Sequence, residues 1–568
     1  MRCLAALLCA AAALRPAAAA RGADPTLATM LSRITAQTVV QPQFLPYWDQ
    51  QCSAILALLA PDGSFTDIDY NYTQPALWPA YNHTKRVEWL TAAWITPGSA
   101  HYNSSAVLAR ALAALDWWLV EGPEVSRRQK NWWWTVIGIP ITLGISANIL
   151  APQLLPNQTA AAAAQLALAH TQGFTGANLV WCAEGVIYRG LLQGNVTLVA
   201  QALAASYATI VVTPGGAEGV KADGAFMQHG AQLYNGGYGA SYVQGIAMML
   251  SWTHGTPLGI ADADPRVAIY SRLALDGTQR MMTYAAPPAG SGWGVALYDV
   301  SVIGRDLSRP YGSNWGMQAG VQVAGSGVMP QGYGLTPVLM AGVGGPRAAE
   351  FRAFAQLLNG SASPAEGAAA LLGNRVFYTA DYAAHASGAG GYSAGAPVAP
   401  GVGWMATVRA ASTRTLRCEA INGENKLGAH LSDGALYLYV TGHEYVDAFP
   451  VWDWQRWPVR ARAGAGAGAG TGAGLGRARE AERQAQFHPL FPSPFFLPLP
   501  LRRAPPLWPT PWRARILTPR TARRPLWAAR ATACAAAPCS TWPPRARASS
   551  CAARYSSSRT CTPCWAPT

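Results

Sequence analysis

"SSAVLARALAALDWWLVEG", residues 104–122, places apolar side chains at i, i+3, i+4 and i+7 spacing. That is the period of an amphipathic helix, with one face buried and the other wet. The period returns in "VEWLTAAWI" from Val87, "TAAAAAQLALAHTQ" from Thr159, "TLVAQALAASYATIVV" from Thr197, "SYVQGIAMMLSWTH" from Ser241, "RVAIYSRLALDGTQRMM" from Arg266 and "RAAEFRAFAQLL" from Arg347. The expectation is a large helical domain over residues 25–350, its helices joined by long polar loops. No fixed-period repeat stands out, so a solenoid is not expected. After Gly373 the period falls to two. "GWMATVRAAS", "TLRCEAI" and "ALYLYVTG" alternate apolar and polar residues and are rich in Val, Thr and Tyr, the pattern of half-buried strands. A β domain over residues 365–458 follows, with five or six short strands, few for a stable sandwich. The fold class is therefore α+β and multidomain.

At 568 residues the chain is long enough for two or more domains and a sizeable core. Its start reads as a secretory signal over residues 1–20: Arg2, then the apolar run "CLAALLCAAAAL", then small residues suited to cleavage near Ala20. No later segment has eighteen uninterrupted apolar residues, so no membrane span is expected. Six N-x-S/T sequons follow, at Asn71, Asn82, Asn103, Asn157, Asn195 and Asn359. Behind a signal segment they favour a secreted, extracellular glycoprotein.

The net charge of +14 belongs to one end of the chain. Residues 459–568 hold 17 Arg, no Lys and two acids, whereas residues 1–458 hold 25 basic and 26 acidic residues. The body is thus nearly neutral, and the basic balance does not argue for a nucleic-acid partner. Cys52, Cys182 and Cys418 are the cysteines of the body and allow at most one internal disulfide, so this is no disulfide scaffold. No paired CxxC spacing suggests zinc. From Val459 the chain turns to Gly-Ala repeats and aperiodic Pro, Arg, Ala and Trp. Such a composition reads as a disordered tail. It also has the look of translated GC-rich DNA, from an unspliced intron or a shifted frame, and that is the preferred expectation.

Four stretches carry chemistry. In "NWWWTVIGIPITLG", residues 131–144, three consecutive Trp cannot all face one way on a helix. One or two belong in the core, and at least one faces a cleft, where an aromatic face suits a sugar ring. In "TGANLVW", residues 175–181, Asn178 taken alone reads as a helix cap or turn residue. "KADGAFMQHGAQLYNGGYGASY", residues 221–242, is a glycine-rich polar loop carrying His229 and Tyr238, a surface built to touch something rather than a core segment. In "VIGRDLSRP", residues 302–310, Arg305 and Arg309 sit at i, i+4 spacing. They make either a solvated helix face or a pair aimed at an anion.

Taken in order, these stretches resemble family eight of the polysaccharide lyases, which includes hyaluronate, chondroitin AC and xanthan lyases. "NWWWTVIGIP" resembles the family's NWW-x-x-x-I-G-x-P. "TGAN" and "DGAFMQH…YNGGYG" resemble its two catalytic stretches, "GRDLSR" its G-R-x-x-S-R, and "CEAINGENKLG" its Y-E-x-x-N-x-E-N-x-x-G. The likeness runs from about Arg86 to Pro458. It implies an incomplete α/α toroid followed by an antiparallel β-sandwich domain. By the resemblance, Asn178 neutralises a uronate carboxylate, and His229 and Tyr238 are the catalytic His and Tyr. Arg305 stands beside that Tyr, Arg309 binds substrate, Glu424 orients the group, and Trp132 and Trp133 form an aromatic patch. The chain departs from the pattern at Cys418, where Tyr is common, at Ala429, where an aromatic is common, and at Val459, where the match stops in mid-strand.

The implied reaction is β-elimination: the C5 proton of a uronic acid leaves and the 4-O-glycosidic bond breaks. An amide donor at Asn178 stabilises charge on the carboxylate as an oxyanion hole does. A free phenol has a pKa of about 10, so Tyr238 needs Arg305 and His229 nearby to act as base; His229 is the alternative base. The implied partner is an acidic polysaccharide, with no cofactor, no metal, no nucleic acid, and a single chain acting as a monomer. A second reading is a catalytically inactive carbohydrate-binding relative, its shortened β domain unable to hold Glu424. A third, a glycoside hydrolase, needs two facing carboxylates, and Asp223 is the only acid of the central loop.

Overall fold

The computed structural model describes residues 24–445, apart from 41, 286–294, 306–334, 344, 359–370, 388–402, 423, 426–427, 429, 441 and 443. The signal segment, Arg309, Asn359 and the tail from Val459 lie outside the described residues.

The helices are α1 (Pro25–Thr38), α2 (Leu45–Leu58), α3 (Tyr81–Ile95), α4 (Ser105–Arg127), α5 (Ile139–Leu150), α6 (Pro156–Leu166), α7 (Gly176–Gln193), α8 (Val196–Ala208), α9 (Tyr238–Thr253), α10 (Pro265–Ser271), α11 (Leu335–Val343) and α12 (Ala348–Leu358). They form two layers. In the inner one α3, α5, α7, α9 and α11 each pack on the next. In the outer one α2 and α4 lie on α3, α6 bridges α5 and α7, α8 lies on α7, and α12 on α11. This is the expected incomplete α/α toroid.

Sequence decides the layer. In α5 every residue except Ile141 is buried, which is why "ITLGISANIL" shows no polar face. Trp134–Gln153 is long and apolar enough to cross a membrane, but 72% of its most apolar eighteen-residue window is buried within the protein, as befits an inner-ring helix. At Gly144 a Cβ would stand 2.6 Å from the Tyr188 ring, so glycine allows α5 and α7 to approach. The outer α8 begins at Asn195, whose side chain accepts from Leu198 N at 3.0 Å.

Three periods outran their α-helices: the one from Arg266 keeps α geometry only to Ser271 and runs on as π and 3-10 turns. α6 stops at Leu166, before "ALAHTQ", and α8 at Ala208, where Thr209 turns the chain. Within the helical part the chain also makes two small hairpins, β1 (Gly219–Val220) with β2 (Phe226–Met227) and β3 (Met282–Ala285) with β4 (Val295–Tyr298).

The sheet part is antiparallel, in the order β5 (Gly373–Phe377), β6 (Tyr382–Ser387), β7 (Trp404–Arg409) and β8 (Ala435–Tyr439). Four strands stand in that sheet among the described residues. "TLRCEAI" is not one of them. Leu416 N bonds Ala231 O at 3.0 Å, so this strap pairs with the loop after β2 instead.

Alternation divides the sheet's faces. Tyr382, Met405, Thr407, Arg409, Tyr437 and Tyr439 point inward. There the buried Asp299 accepts from Tyr382 Oη and Tyr439 Oη, both at 2.8 Å. Asp223, also buried, accepts from Thr379 N at 2.8 Å and Thr379 Oγ1 at 2.9 Å. These two acids fasten the sheet to the helices. The outward face carries Val376, Trp404, Val408, Leu438 and Val440, all exposed.

Of the sequon residues, Asn71, Asn103, Asn157 and Asn195 are exposed. Asn82 is buried inside α3, where a glycan has no room. Cys52, Cys182 and Cys418 are all free thiols.

Candidate active site

His229, Tyr238, Arg305 and Glu424 gather where the helical ring meets the sheet part, and Trp133 reaches Tyr238 through Trp181. Asn178 sits in the first turn of α7 and is buried, its amide oxygen without a hydrogen-bond partner among the described residues. An unpaired buried amide oxygen is costly and calls for a donor; the NH₂ of the same side chain is the part able to meet an anion. His229 lies in the loop between β2 and α9 with φ +55°, an uncommon conformation for a side chain this size. Tyr238 opens α9, its ring 4.7 Å from that of His229.

Arg305 ties the group together. One guanidinium nitrogen, Nη2, donates to Tyr238 Oη at 2.8 Å. Nη1 donates to Glu419 Oε1 at 3.2 Å, and Nε lies 3.1 Å from Glu424 Oε2. The planar fork is thus hydrogen-bonded at both terminal nitrogens, with Glu424 as an ion-pair partner beside Nε. Glu419 also accepts from His229 Nδ1 at 2.6 Å and from Tyr234 Oη. His229 Nδ1 also lies 3.4 Å from Arg305 Nη1, so the acid and the guanidinium hold the ring from one side and Nε2 points away from Glu419. Burial would raise the Glu419 carboxyl. The hydrogen bonds from His229 and Tyr234 and the charges of His229 and Arg305 outweigh it and hold the group below its ordinary value.

The three tryptophans divide as their spacing demands. Trp132 is 45% exposed and stacks on Phe174 at 5.0 Å. Trp133 is half-buried and meets Trp181 edge-on at 5.7 Å, and Trp181 lies 5.7 Å from the Tyr238 ring. Trp134 packs on the core, its Nε1 donating to Pro75 O at 3.0 Å. An aromatic line therefore leads from the surface to Tyr238. A π-helical turn at Trp134–Gly138 sets these directions.

The family model for the N-terminal alpha-helical domain of polysaccharide lyase family 8 matches residues 49–277, and that for its super-sandwich domain matches residues 372–458. The chain belongs to polysaccharide lyase family 8. Among family 8 proteins, the chondroitinase-AC of Pedobacter heparinus is 26% identical over 413 residues, 72% of this chain and 52% of that protein. A xanthan lyase of a Bacillus species is 28% identical over 38% of this chain and 25% of its own length. A solved chondroitinase AC lyase superposes with a TM-score of 0.60 at 23% identity, covering 76% of this chain and 57% of its own. The chondroitin AC lyase of Streptomyces coelicolor A3 gives 0.59 at 22%, covering 78% and 62%. At these identities the superpositions show the fold. This family 8 chain spans about half the length of the chondroitinase-AC relative.

Glu419 and Tyr234 were not among the expected site residues. Both lie inside stretches that were read, "CEAINGEN" and "YNGGYG". Glu419 sits five residues before Glu424, and nothing in their spacing says which faces His229. Asp223, the acid weighed for hydrolysis, is buried against Thr379, away from this group's hydrogen bonds.

Proposed function

We propose that this protein cleaves uronic-acid-containing polysaccharide by β-elimination, leaving an unsaturated uronate end. The observation that carries the proposal is the hydrogen bond from the Arg305 guanidinium to Tyr238 Oη at 2.8 Å. A phenol held against a cation gives up its proton more readily. Tyr238 then takes the C5 proton as the C4–O bond breaks and C4=C5 forms, and it returns a proton to the leaving glycosidic oxygen. Asn178 faces the uronate carboxylate and donates to it as charge builds. His229, oriented by Glu419, completes the cradle; Trp132 and Trp133 carry the sugar chain, and Arg309 adds a cation for it. The substrate is an acidic polysaccharide, met outside the cell by a secreted, glycosylated, monomeric protein.

Two observations favour elimination over the alternatives. Glu419 and Glu424 both engage Arg305, rather than facing each other across open space as a hydrolase pair would. Glu424 stands 3.1 Å from Arg305, which supports an active site over a binding-only one.

The test is incubation with hyaluronate, chondroitin and xanthan, followed by ultraviolet absorbance of the conjugated product. Wild-type protein should generate it from at least one polymer. Tyr238→Phe should lose about 10²–10⁴ in rate while still binding that polymer. Reducing ends without the chromophore would mean hydrolysis. A Tyr238→Phe protein as fast as wild type would remove the base assignment.

A further inference from the structure

Asn178 and His229 come from different elements, 51 residues apart in sequence, yet a single side-chain bridge joins their backbones. Helix α7 lacks an ordinary cap: Thr175, at the capping position, makes no bond to the first turn. Its hydroxyl is turned away to the Glu218 carboxylate. The cap comes instead from Gln228, whose Oε1 accepts from Ala177 N at 3.0 Å. Gln228 Nε2 donates to Glu218 Oε2 at 2.8 Å, and Glu218 Oε1 accepts from Gly230 N at 2.9 Å.

The bridge grips the residue before Asn178 and both residues flanking His229. Gln228 is 1% exposed, so its amide has no water to turn to. Gly176 has φ +51°, and a Cβ there would run into Gln228 Oε1; glycine is what lets the amide come so close. His229 itself is held at positive φ between Gln228 and Gly230. For a histidine that is not the resting choice of a free loop, and the bridge is positioned to hold it.

We infer that Glu218 and Gln228 are positioning residues that fix the separation between the Asn178 amide and the His229 ring. They act through those two residues and do not touch substrate. The inference rests on the elimination reading for its kinetic consequence, and on geometry alone for the bridge.

The experiment is a polarity swap. Glu218→Gln leaves one acceptor oxygen where Gln228, Thr175 and Gly230 used two, and Gln228→Glu sets two carboxylates side by side. Each single variant should lower kcat by about 10- to 100-fold, with KM within about twofold. In the double variant Glu218→Gln/Gln228→Glu the new amide at 218 donates to the new carboxylate at 228. It still accepts from Gly230 N, and the carboxylate still accepts from Ala177 N. Most of kcat should return. Amide hydrogen exchange at Ala177 and Gly230 should quicken in each single variant and slow again in the swap. Singles with unchanged kcat, a loss carried by KM, or a swap no better than the worse single would overturn the inference. If wild-type protein yields no unsaturated product, the elimination reading falls alone. The bridge is then judged by exchange, and unchanged exchange in both singles overturns it.

Discussion

The helical part and the sheet part contribute different groups to one site. Asn178, His229, Tyr238 and Arg305 hang from helix starts and loops of the helical part; Glu419 and Glu424 come from the strap before β8. The two parts also differ in how they bury themselves. The inner helix α5 is covered on nearly every side, whereas the sheet has one face clamped by Asp299 and one carrying exposed Val376, Val408 and Leu438. The two parts divide the labour. The helical part is a finished core that presents the groups meant for a substrate. The sheet part uses its covered face to bring counter-charges to them.

The sharpest way to test this division is Asn178→Ala, which removes a donor from the helical side. Turnover should fall by about 10²–10³, with KM within a few-fold. If KM carried the loss, Asn178 would be a ground-state binder and the comparison would lose its first term.

Glu419→Gln removes a counter-charge from the sheet side while keeping an acceptor for His229. Turnover should fall only about tenfold, since the groups meant for substrate stay in place. A loss as deep as that of Tyr238→Phe would mean that the sheet side joins the chemistry. Acidity gives a second readout. The Glu419 carboxyl is held below the ordinary value of 4.5. Its contribution to holding the strap is therefore fully present above pH 4.5 and is lost as pH falls through the lowered value. Tyrosine and tryptophan fluorescence of the strap contacts should change on that acid limb in wild type and not in Glu419→Gln.

Within the helical part, burial raises Glu88 and Glu184 to about 7. Glu184 also accepts from Tyr188 Oη at 2.8 Å, which opposes the rise, while the neighbouring Glu88 adds to it. Both acids are protonated in the folded protein at pH values where an unfolded chain has already ionised them. Stability from this source is full below about pH 4.5 and declines up to pH 7. Glu184→Gln should leave Tm unchanged at pH 4 and raise it by roughly 2–5 °C at pH 8. A variant less stable at both pH values would show that the carboxyl is needed for packing.

The smallest effect is expected on the outer face of the sheet. Val408→Thr should change stability by no more than about 0.5 kcal/mol in urea unfolding. A loss above about 1 kcal/mol would mean that this face is covered in solution, and the contrast between the two parts would narrow.

Much of this was legible in the sequence because period follows burial on one face. The amphipathic helices α3, α4, α9 and α12 announced themselves; α5 did not, since a helix buried all round has no polar stripe to read. "TLRCEAI" alternates like a strand, but its backbone partner is Ala231, a tertiary choice that no local pattern encodes. The family resemblance brought Asn178, His229, Tyr238, Arg305 and Glu424 to notice; contacts join the last four, and Asn178 lies three residues before Trp181, which touches Tyr238. Glu419 was passed over because its partners lie far away in the chain. Glu218 and Gln228 were missed for the same reason, as a Glu and a Gln in a polar loop look like solvated residues.

The bond between His229 and Glu419 spans 190 residues. Chains emerge from the ribosome at about 5–20 residues per second, so Glu419 arrives roughly 10–40 seconds after His229. The helical ring, rich in near-neighbour contacts, has ample time to form in that interval. Until the strap is made, His229 and Arg305 wait without this counter-charge, and the order of synthesis delays the complete group until the sheet part is in place.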